Sequence, residues 1–352
     1  MLGGSMEQQV QEIWIDNGTL RFSVLPERGM DIGEVYLHGK RMSWQRDPSY
    51  KLHPDAVDLR RDGWEKGFFA AVATLGPEVF GTPDESNTDH GTGAYSMADP
   101  VTIRVEKTTE YQEIRGIVNI RGYELKQRYQ KEIMIRTWPN SNYIMRIEVT
   151  ENLTGERIPI DDGYHIQFCG DFLEHGGEYV LPVPTYRMQL RDSAPTEDNP
   201  KEIYPLAEPF SPIRCYQYIP ERVYGLEQLV PPGVRSALQE SGSYQTAEMI
   251  ASAAGDYGAV VIRPLSDFPR TLLAKRNDGC AMYAMEACKS RPNSLRQKAI
   301  DGELQYLEPH GTSTSRIAFG FFDDAASVTE YKKRIESAAL YEKKMEQEGC
   351  WL

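Results

Sequence analysis

The feature that most constrains this chain is an alternation of apolar and polar residues with a period of two. In the segment GTLRFSVLP, at residues 18–26, Leu20, Phe22 and Val24 fall on one face. Successive side chains of a β-strand point to opposite faces, so this period indicates strands with one buried face. Similar segments recur at residues 101–108, 113–122, 123–138, 142–154, 257–265, 279–286, 302–309 and 314–322. Turns between such strands every eight to twelve residues predict an all-β protein, built as an antiparallel sandwich or barrel.

Helical patterns are few, and the clearest covers residues 325–347. Asp323 and Asp324 precede it as candidate N-caps, because a carboxylate there accepts hydrogen bonds from the first free backbone amides. We expect a helix packed on the outside of the sheets. Its apolar stripe would consist of Val328, Ile335 and Ala338 or Ala339.

The rest of the chain predicts one domain over residues 1–352. Segments 46–63 and 191–212 are rich in proline and charged residues, which is typical of long surface loops. The first twelve residues lack the charged and apolar regions of a signal peptide, so we expect a disordered leader there.

Charge and cysteine content narrow the range of partners and cellular compartments that the chain could have. The net charge of −13 opposes binding to nucleic acid or to anionic membranes, and there is no apolar run of the ~18 residues that a membrane span needs. The five cysteines form no CxxC pair, which favours a reducing compartment such as the cytoplasm. The six histidines show no metal-binding spacing, so no metal is expected.

Four short segments carry residue types suited to proton transfer or sugar binding. In YHIQF, alternation places His165 and Gln167 on the face opposite Tyr164, and a histidine titrates near neutrality. In YAMEACKSRP, Glu286 has apolar neighbours, which raise the pKa of a carboxyl group toward the range of a general base. Each residue also has a structural alternative. His165 could be a hydrogen-bonded histidine on a half-buried sheet, and Glu286 could be an edge-strand glutamate paired with Lys289 or Arg291.

The other two segments are turns. In LPERGMDIG, Arg28 and Asp31 could point at one site and bind sugar hydroxyls, or could form a structural pair. In NTDHGTG, His90 lies in a polar turn, where a solvent-facing role is the alternative. A sugar site commonly contains aromatic rings that stack on the faces of the sugar. The candidates are Trp44, Trp64 and Tyr95.

Taken in order, these motifs resemble the galactose mutarotase-like superfamily, and within it a bacterial branch of aldose 1-epimerase-like proteins with a domain of unknown function. The matching positions run from residue 14 to residue 322. They are LPERGMDIG at 25–33, HG at 90–91, YHIQF at 164–168, ERVY at 221–224, and Glu286 with LEPHGT at 307–312. The chain departs from the branch in DHGTGAYS, which lacks a rim arginine, and in MEACKS.

The resemblance implies a β-supersandwich around a sugar cleft, and an aldose 1-epimerase that needs no cofactor. His165 would be the protonated general acid and Glu286 the ionised general base, on opposite sides of one sugar-sized hollow. Asp161 or Asp162 would favour the charge on His165. The sugar-binding residues would be Arg28, Asp31, His90, Gln167, Trp44 and Trp64.

Two other functions stay open. One is a non-catalytic carbohydrate-binding protein on the same scaffold, and the other is a lyase or hydrolase. A hydrolase would need a second carboxylate about 5–10 Å from Glu286, such as Asp31 or Glu308. The expected partner is a small-molecule sugar in each case, and the oligomeric state stays open, with a homodimer as one outcome.

Overall fold

A computed structural model describes residues 10–61, 63–85, 87–122, 126–191, 198–207, 211–277 and 281–347. Most of the expected leader, residues 1–9, lies outside the described residues. The strands are β1 (Ile13–Asp16), β2 (Leu20–Leu25), β3 (Asp31–Leu37), β4 (Lys40–Arg41), β5 (Val72–Leu75), β6 (Arg104–Lys107), β7 (Gln112–Arg121), β8 (Gln127–Thr137), β9 (Tyr143–Asn152), β10 (Ile158–Ile160), β11 (Gly163–Ile166), β12 (Gly177–Val180), β13 (Gln189–Leu190), β14 (Glu202–Ile203), β15 (Ser211–Tyr218), β16 (Gln245–Ser252), β17 (Gly258–Pro264), β18 (Arg270–Asn277), β19 (Met282–Cys288), β20 (Gln305–Leu307) and β21 (Thr312–Phe322). The helices are α1 (Pro232–Gln239), α2 (Leu295–Asp301) and α3 (Ala325–Gln347).

These strands form two large antiparallel sheets and one small one. The first sheet has the order β1-β2-β3-β5-β11-β19-β18-β15-β13, with β4 added beside β3. The second has the order β14-β12-β16-β17-β21-β9-β8-β7-β6, and β10 pairs with β20 in a separate ribbon. The all-β prediction is therefore confirmed. Strands β11 and β19, which carry YHIQF and YAMEAC, are neighbours near the middle of the first sheet.

The two large sheets pack face to face through apolar side chains. The ring of Phe168, just after β11, lies 5.5 Å from Phe319 and 4.9 Å from Phe321, both on β21 of the second sheet. Since Phe168 faces the second sheet, alternation puts His165 and Gln167 on the opposite face of the first sheet. The predicted alternation in YHIQF is confirmed by these contacts.

The C-terminal helix is confirmed, and it packs on the outer face of the second sheet. Asp324 caps it, because its Oδ1 accepts a hydrogen bond of 2.7 Å from the amide of Ser327. Between residues 325 and 340, where the burial of the side chains is described, the buried residues of the helix are Val328, Tyr331, Ile335 and Ala338. Helices α1 and α2 were not predicted, because eight and seven residues are too short for a clear periodic signal. No helix in the described part of the chain is long and apolar enough to cross a bilayer.

Replacing Ile335 by alanine is expected to lower the free energy of unfolding by about 2–5 kcal/mol, because the change leaves a cavity under a fully buried side chain. Leu340 on the same helix is 65% exposed, so Leu340→Ala is the matched control and should change stability by less than about 0.5 kcal/mol. Denaturant unfolding of both variants measures the difference. Equal losses would contradict this packing of α3.

Candidate active site

His165 and Glu286 meet as cross-strand neighbours in the first sheet. The register of β11 and β19 pairs Gly163 with Cys288 and Tyr164 with Ala287. The next step of that register sets His165 opposite Glu286, and directly opposed residues of antiparallel strands have their Cβ atoms about 5 Å apart. His165 Nε2 lies 3.4 Å from Glu286 Oε1. A base and a carboxyl group therefore contact each other on the face turned away from the second sheet.

Gln167 determines which nitrogen of His165 faces Glu286. The side-chain nitrogen of Gln167 donates to the carbonyl of Ala70, so its amide oxygen is left to face His165 Nδ1. An amide oxygen only accepts, so Nδ1 must carry the proton and donate. In the neutral ring, Nε2 then offers its lone pair toward Glu286. Gln167 is fully buried, and both ends of its amide are used in this way. These contacts favour a role in positioning His165, and binding of substrate by Gln167 stays a prediction.

Aromatic rings cover the outer side of His165. The ring of Trp64 stacks on it with centroids 5.7 Å apart, and Phe68 lies 4.6 Å away. His90 meets both, at 5.1 Å from Trp64 and 6.4 Å from His165. Trp44 lies one ring farther out, 5.2 Å from Phe68. The solvent-facing alternative for His90 is therefore wrong, since its side chain is 17% exposed and belongs to this cluster.

Three buried polar atoms in this cluster have no hydrogen-bond partner among the described residues. They are Glu286 Oε2, His90 Nδ1 and Trp64 Nε1. Buried polar groups in proteins are nearly always hydrogen-bonded, so orphaned atoms gathered around one acid–base pair need an explanation. The hydroxyl groups of a ligand are one chemistry that would satisfy such atoms, because each hydroxyl both donates and accepts.

The charge states differ from the expected ones. Burial, assisted by the neighbouring His90, lowers the pKa of His165 to about 3, and burial raises the pKa of Glu286 well above its usual range. Both shifts favour the neutral forms, with the proton on Glu286 rather than on His165, which is the reverse of the charge states that the resemblance implies. Asp161 and Asp162 do not supply that charge, because they pair with Lys298 and Lys131.

Both buried histidines should make stability depend on pH. Burial lowers the pKa of His90 to about 3 as well, from 6.5 in a free side chain. Between about pH 6.5 and pH 3 the unfolded chain binds a proton at this position and the folded chain does not, so the contribution of His90 to the free energy of unfolding is lost as pH falls. Its slope is at most about 1.4 kcal/mol per pH unit.

The carboxyl groups with raised pKa, among them Asp31 and Asp89 at about 6, act in the opposite direction. The measurement is therefore a comparison of denaturant unfolding between pH 4.5 and 7 for the wild type and His90→Gln. The slope with pH should differ by about one proton. Identical slopes would show that His90 titrates normally.

Two charged residues near the pair were missed by sequence reasoning. The negative charge of Asp89 adds to the rise in the pKa of Glu286 that burial causes. Burial also raises the pKa of Asp89 itself to about 6. The positive charge of Arg191 acts to lower the pKa values of three groups, Asp89, His90 and Glu286. Asp89 could have been found, since it directly precedes His90, whereas nothing in the sequence around Arg191 marks it.

Arg28 and Tyr95 support the site from behind. The guanidinium of Arg28 donates to the carbonyls of Gly67, at 2.6 Å, and Leu52, at 3.2 Å, and it lies over the ring of Tyr95. Tyr95 in turn donates from its hydroxyl to the carbonyl of Trp64. Both residues therefore anchor the short turn from Trp64 to Gly67. These contacts favour a structural role for Arg28 and Tyr95, and their expected contacts with a sugar stay predictions.

Asp31 is also a structural residue. It is fully buried, and its Oδ1 accepts hydrogen bonds from the amide and the hydroxyl of Thr74, at 2.8 and 2.7 Å. These contacts favour a structural role, and the expected place of Asp31 on a sugar-binding rim stays a prediction. Arg28 and Asp31 lie on one turn, because the amide of Asp31 donates to the carbonyl of Arg28 at 2.9 Å.

Among the described residues, no sugar-sized hollow separates the two catalytic candidates. His165 is 6% exposed, Glu286 is 1% exposed, and a separation of 3.4 Å leaves no space for a sugar ring between them. A cavity of about 540 Å³ adjoins the aromatic cover, with Trp44, Glu65 and Arg276 in its wall. Access to the pair therefore requires the covering side chains to move.

Comparisons with known proteins place the chain by its fold. Over 91% of its length it superimposes on 81% of a Klebsiella pneumoniae protein described as a "putative aldose 1-epimerase", with a TM-score of 0.74 and 19% identity. It also superimposes, over 91% of its length, on 97% of a galactose mutarotase-like protein from Clostridium acetobutylicum, with a TM-score of 0.59 and 12% identity. Among curated proteins there is no match. Because the family model called "Domain of unknown function (DUF4432)" matches residues 7–321, this chain belongs to that family.

Proposed function

We propose that this protein is an aldose 1-epimerase, which interconverts the anomers of a sugar by general acid–base ring opening. The observation that carries the proposal is the contact between His165 and Glu286, with Glu286 Oε2, His90 Nδ1 and Trp64 Nε1 left without partners around it. Ring opening needs one proton donor and one proton acceptor at adjacent oxygens of the sugar. This pair supplies both.

In the proposed reaction, protons move at two sugar oxygens. Glu286 gives its proton to the ring oxygen O5, and His165 Nε2 takes the proton of the C1 hydroxyl. The C1–O5 bond breaks and C1 becomes the carbonyl carbon of an open aldehyde. Rotation about C1–C2 presents the other face, and the O5 hydroxyl attacks C1. Glu286 takes back the proton from O5, and His165 returns its proton to the oxygen on C1.

This assignment exchanges the roles that the family resemblance implies, but it uses the same number of protons. The two residues interact directly, so they titrate as one pair rather than as separate groups. With one proton on the pair, either tautomer contains one donor and one acceptor. The pKa of His165, lowered by burial, favours the tautomer with the proton on Glu286.

The direct test is the rate of anomer exchange. A pure anomer of each sugar in a panel of aldoses is dissolved with and without the wild-type protein, and the approach to equilibrium is followed by polarimetry or by ¹H NMR of the C1 proton. We expect acceleration that is proportional to protein concentration for at least one aldose. Sugar binding without acceleration of any aldose would overturn the proposal in favour of a carbohydrate-binding protein.

The hydrolase alternative is weakened at both carboxylates that the sequence suggested. Asp31 is committed to Thr74 and fully buried. Glu308 forms an ion pair of 3.1 Å with Arg157 and its side chain is 72% exposed. New reducing ends released from oligosaccharides would be the result that favours hydrolysis, and the epimerase proposal expects none.

A further inference from the structure

A polar cavity lies beside the proposed catalytic pair and is not used by it. Its volume is about 540 Å³. Two aromatic rings, Trp44 and Tyr50, and three guanidinium groups are part of its wall, together with the carboxylate of Glu65. Cavities of 300–1,000 Å³ are typical of small-molecule sites.

The cavity lies along the same strands as Glu286. On β18 and β19, Leu272 pairs with Glu286 and Arg276 pairs with Met282, so Arg276 and Glu286 lie on one face of the sheet. They are separated by four residues, about 13 Å at the usual rise of a strand. That distance exceeds the width of one sugar ring and lies within the reach of two linked rings.

The charges in the cavity wall compensate one another. Glu65 Oε1 lies 3.0 Å from an amino group of Arg276 and 3.5 Å from one of Arg46, and Arg41 pairs with Asp171. An anionic ligand would have to compete with these carboxylates. A neutral polyol carries no charge for these carboxylates to repel, and each of its hydroxyl groups can both donate and accept a hydrogen bond.

Of the two aromatic rings in the wall, Tyr50 is the more exposed, since Trp44 is 3% exposed. The guanidinium of Arg46 lies 3.6 Å from the centre of the Tyr50 ring and donates to the carbonyls of Glu65 and Phe68. Trp44 is in ring contact with Phe68, which itself contacts His165. The cavity and the catalytic pair therefore share one aromatic wall.

We propose that this cavity binds the second sugar residue of a neutral reducing disaccharide or longer oligosaccharide, whose terminal aldose is the ring opened by His165 and Glu286. This inference rests on the proposed function. It predicts selectivity for linked sugars over the free monosaccharide.

The test compares kcat/KM for anomer exchange of maltose and lactose with that of glucose and galactose, for the wild type and two cavity variants. Arg276→Gln and Tyr50→Ala are each expected to lower the disaccharide-to-monosaccharide ratio of kcat/KM about tenfold, the effect of losing one hydrogen bond to a charged group or one stacking contact. Arg157→Gln is the matched control and should leave the ratio unchanged, because it removes an exposed Arg–Glu pair that is not part of the cavity wall.

Failure of the inference differs from failure of the proposed function. If no sugar shows acceleration, the proposed function is rejected. Calorimetric titration of the wild type with the same four sugars then still tests the cavity, and tighter binding of the disaccharides would support it. Equal losses for both sugar classes would overturn the inference. Preference for glucose 6-phosphate or glucuronate would overturn the neutral class of ligand.

Discussion

Replacing Glu286 by glutamine is expected to reduce enzyme-catalysed anomer exchange by about 10²–10⁴-fold, the usual worth of one general acid or base. Glutamine keeps the size of the side chain and its hydrogen-bonding atoms, but it cannot release a proton. His165→Ala should cause a loss of the same order, because Nε2 is the proposed acceptor. Polarimetry or ¹H NMR with the best sugar of the panel measures both losses.

The double variant is the sharper measurement. Residues that act as one unit show strongly non-additive effects, so Glu286→Gln combined with His165→Ala should be little worse than either single change. Glu308→Gln is the control, because that carboxylate is exposed and paired with Arg157 at the surface. Retention of full activity by folded Glu286→Gln would end the proton-transfer mechanism, whatever the variant does to sugar binding.

Much of the fold follows from residue periodicity. The alternation in β2, with Leu20, Phe22 and Val24 on one face, predicted strands directly, and the capped amphipathic pattern predicted α3. Such patterns are visible because one face of the element is buried and the other meets water. The predicted strand at residues 101–108 begins late, at Arg104, since a short 3₁₀ turn over Pro100–Thr102 occupies its start.

Strands buried on both faces were missed for the complementary reason. In β16 and β18 nearly every residue is buried, so no alternation marks them. Their charged residues suggest solvent exposure in the sequence, yet Glu248 is paired with Arg263 at 2.8 Å and Lys275 with Asp198 at 3.0 Å. A buried charge whose partner is distant in sequence is not recognisable before the strands are paired.

The site was predictable in its residue types but not in its state. The motifs around His165 and Glu286 named the two residues, and the register of two adjacent strands brings them together. Their burial, and the neutral charge state that follows from it, depend on a cover built from a distant turn that begins at Trp64. The contacts of Arg28 were hidden for a related reason, since its hydrogen-bond donors are used by backbone carbonyls that spacing does not reveal.

The largest expected effect on stability is that of Glu148→Gln. Glu148 lies on β9 and accepts bonds of 2.8 Å from Lys131 and 2.7 Å from Arg146, and all three side chains are at most 1% exposed. Burial alone would raise the pKa of Glu148, but the two cations outweigh it and lower the pKa to about 2. Removing this charge leaves two buried cations short of a partner, which costs about 3–5 kcal/mol of unfolding free energy.

The loss should be visible in denaturant unfolding at pH 7 and should shrink as the pH falls. The carboxyl group of Glu148 is ionised in the folded chain down to about pH 2 and in the unfolded chain only above about pH 4.5, so its stabilisation is present above that range and disappears below it. Glu132→Gln on the adjacent strand β8 is the matched control, because Glu132 is exposed; a change within about 0.5 kcal/mol is expected.

The network of Glu148 also connects the second sheet to the strand beside His165. Arg146 donates to the carbonyl of Gly29 and to the hydroxyl of Thr74 on β5, both at 3.1 Å, and β5 pairs with β11. If stability alone explained these charges, replacing Glu148, Lys131, Arg146 and Asp162, which pairs with Lys131, together by apolar residues would be tolerated, as it is for some buried ion pairs. We expect this fourfold variant to recover stability relative to Glu148→Gln but to lose anomer exchange, since it also removes the donor to Thr74. Recovery of both stability and activity would show that this network does not position the catalytic strand.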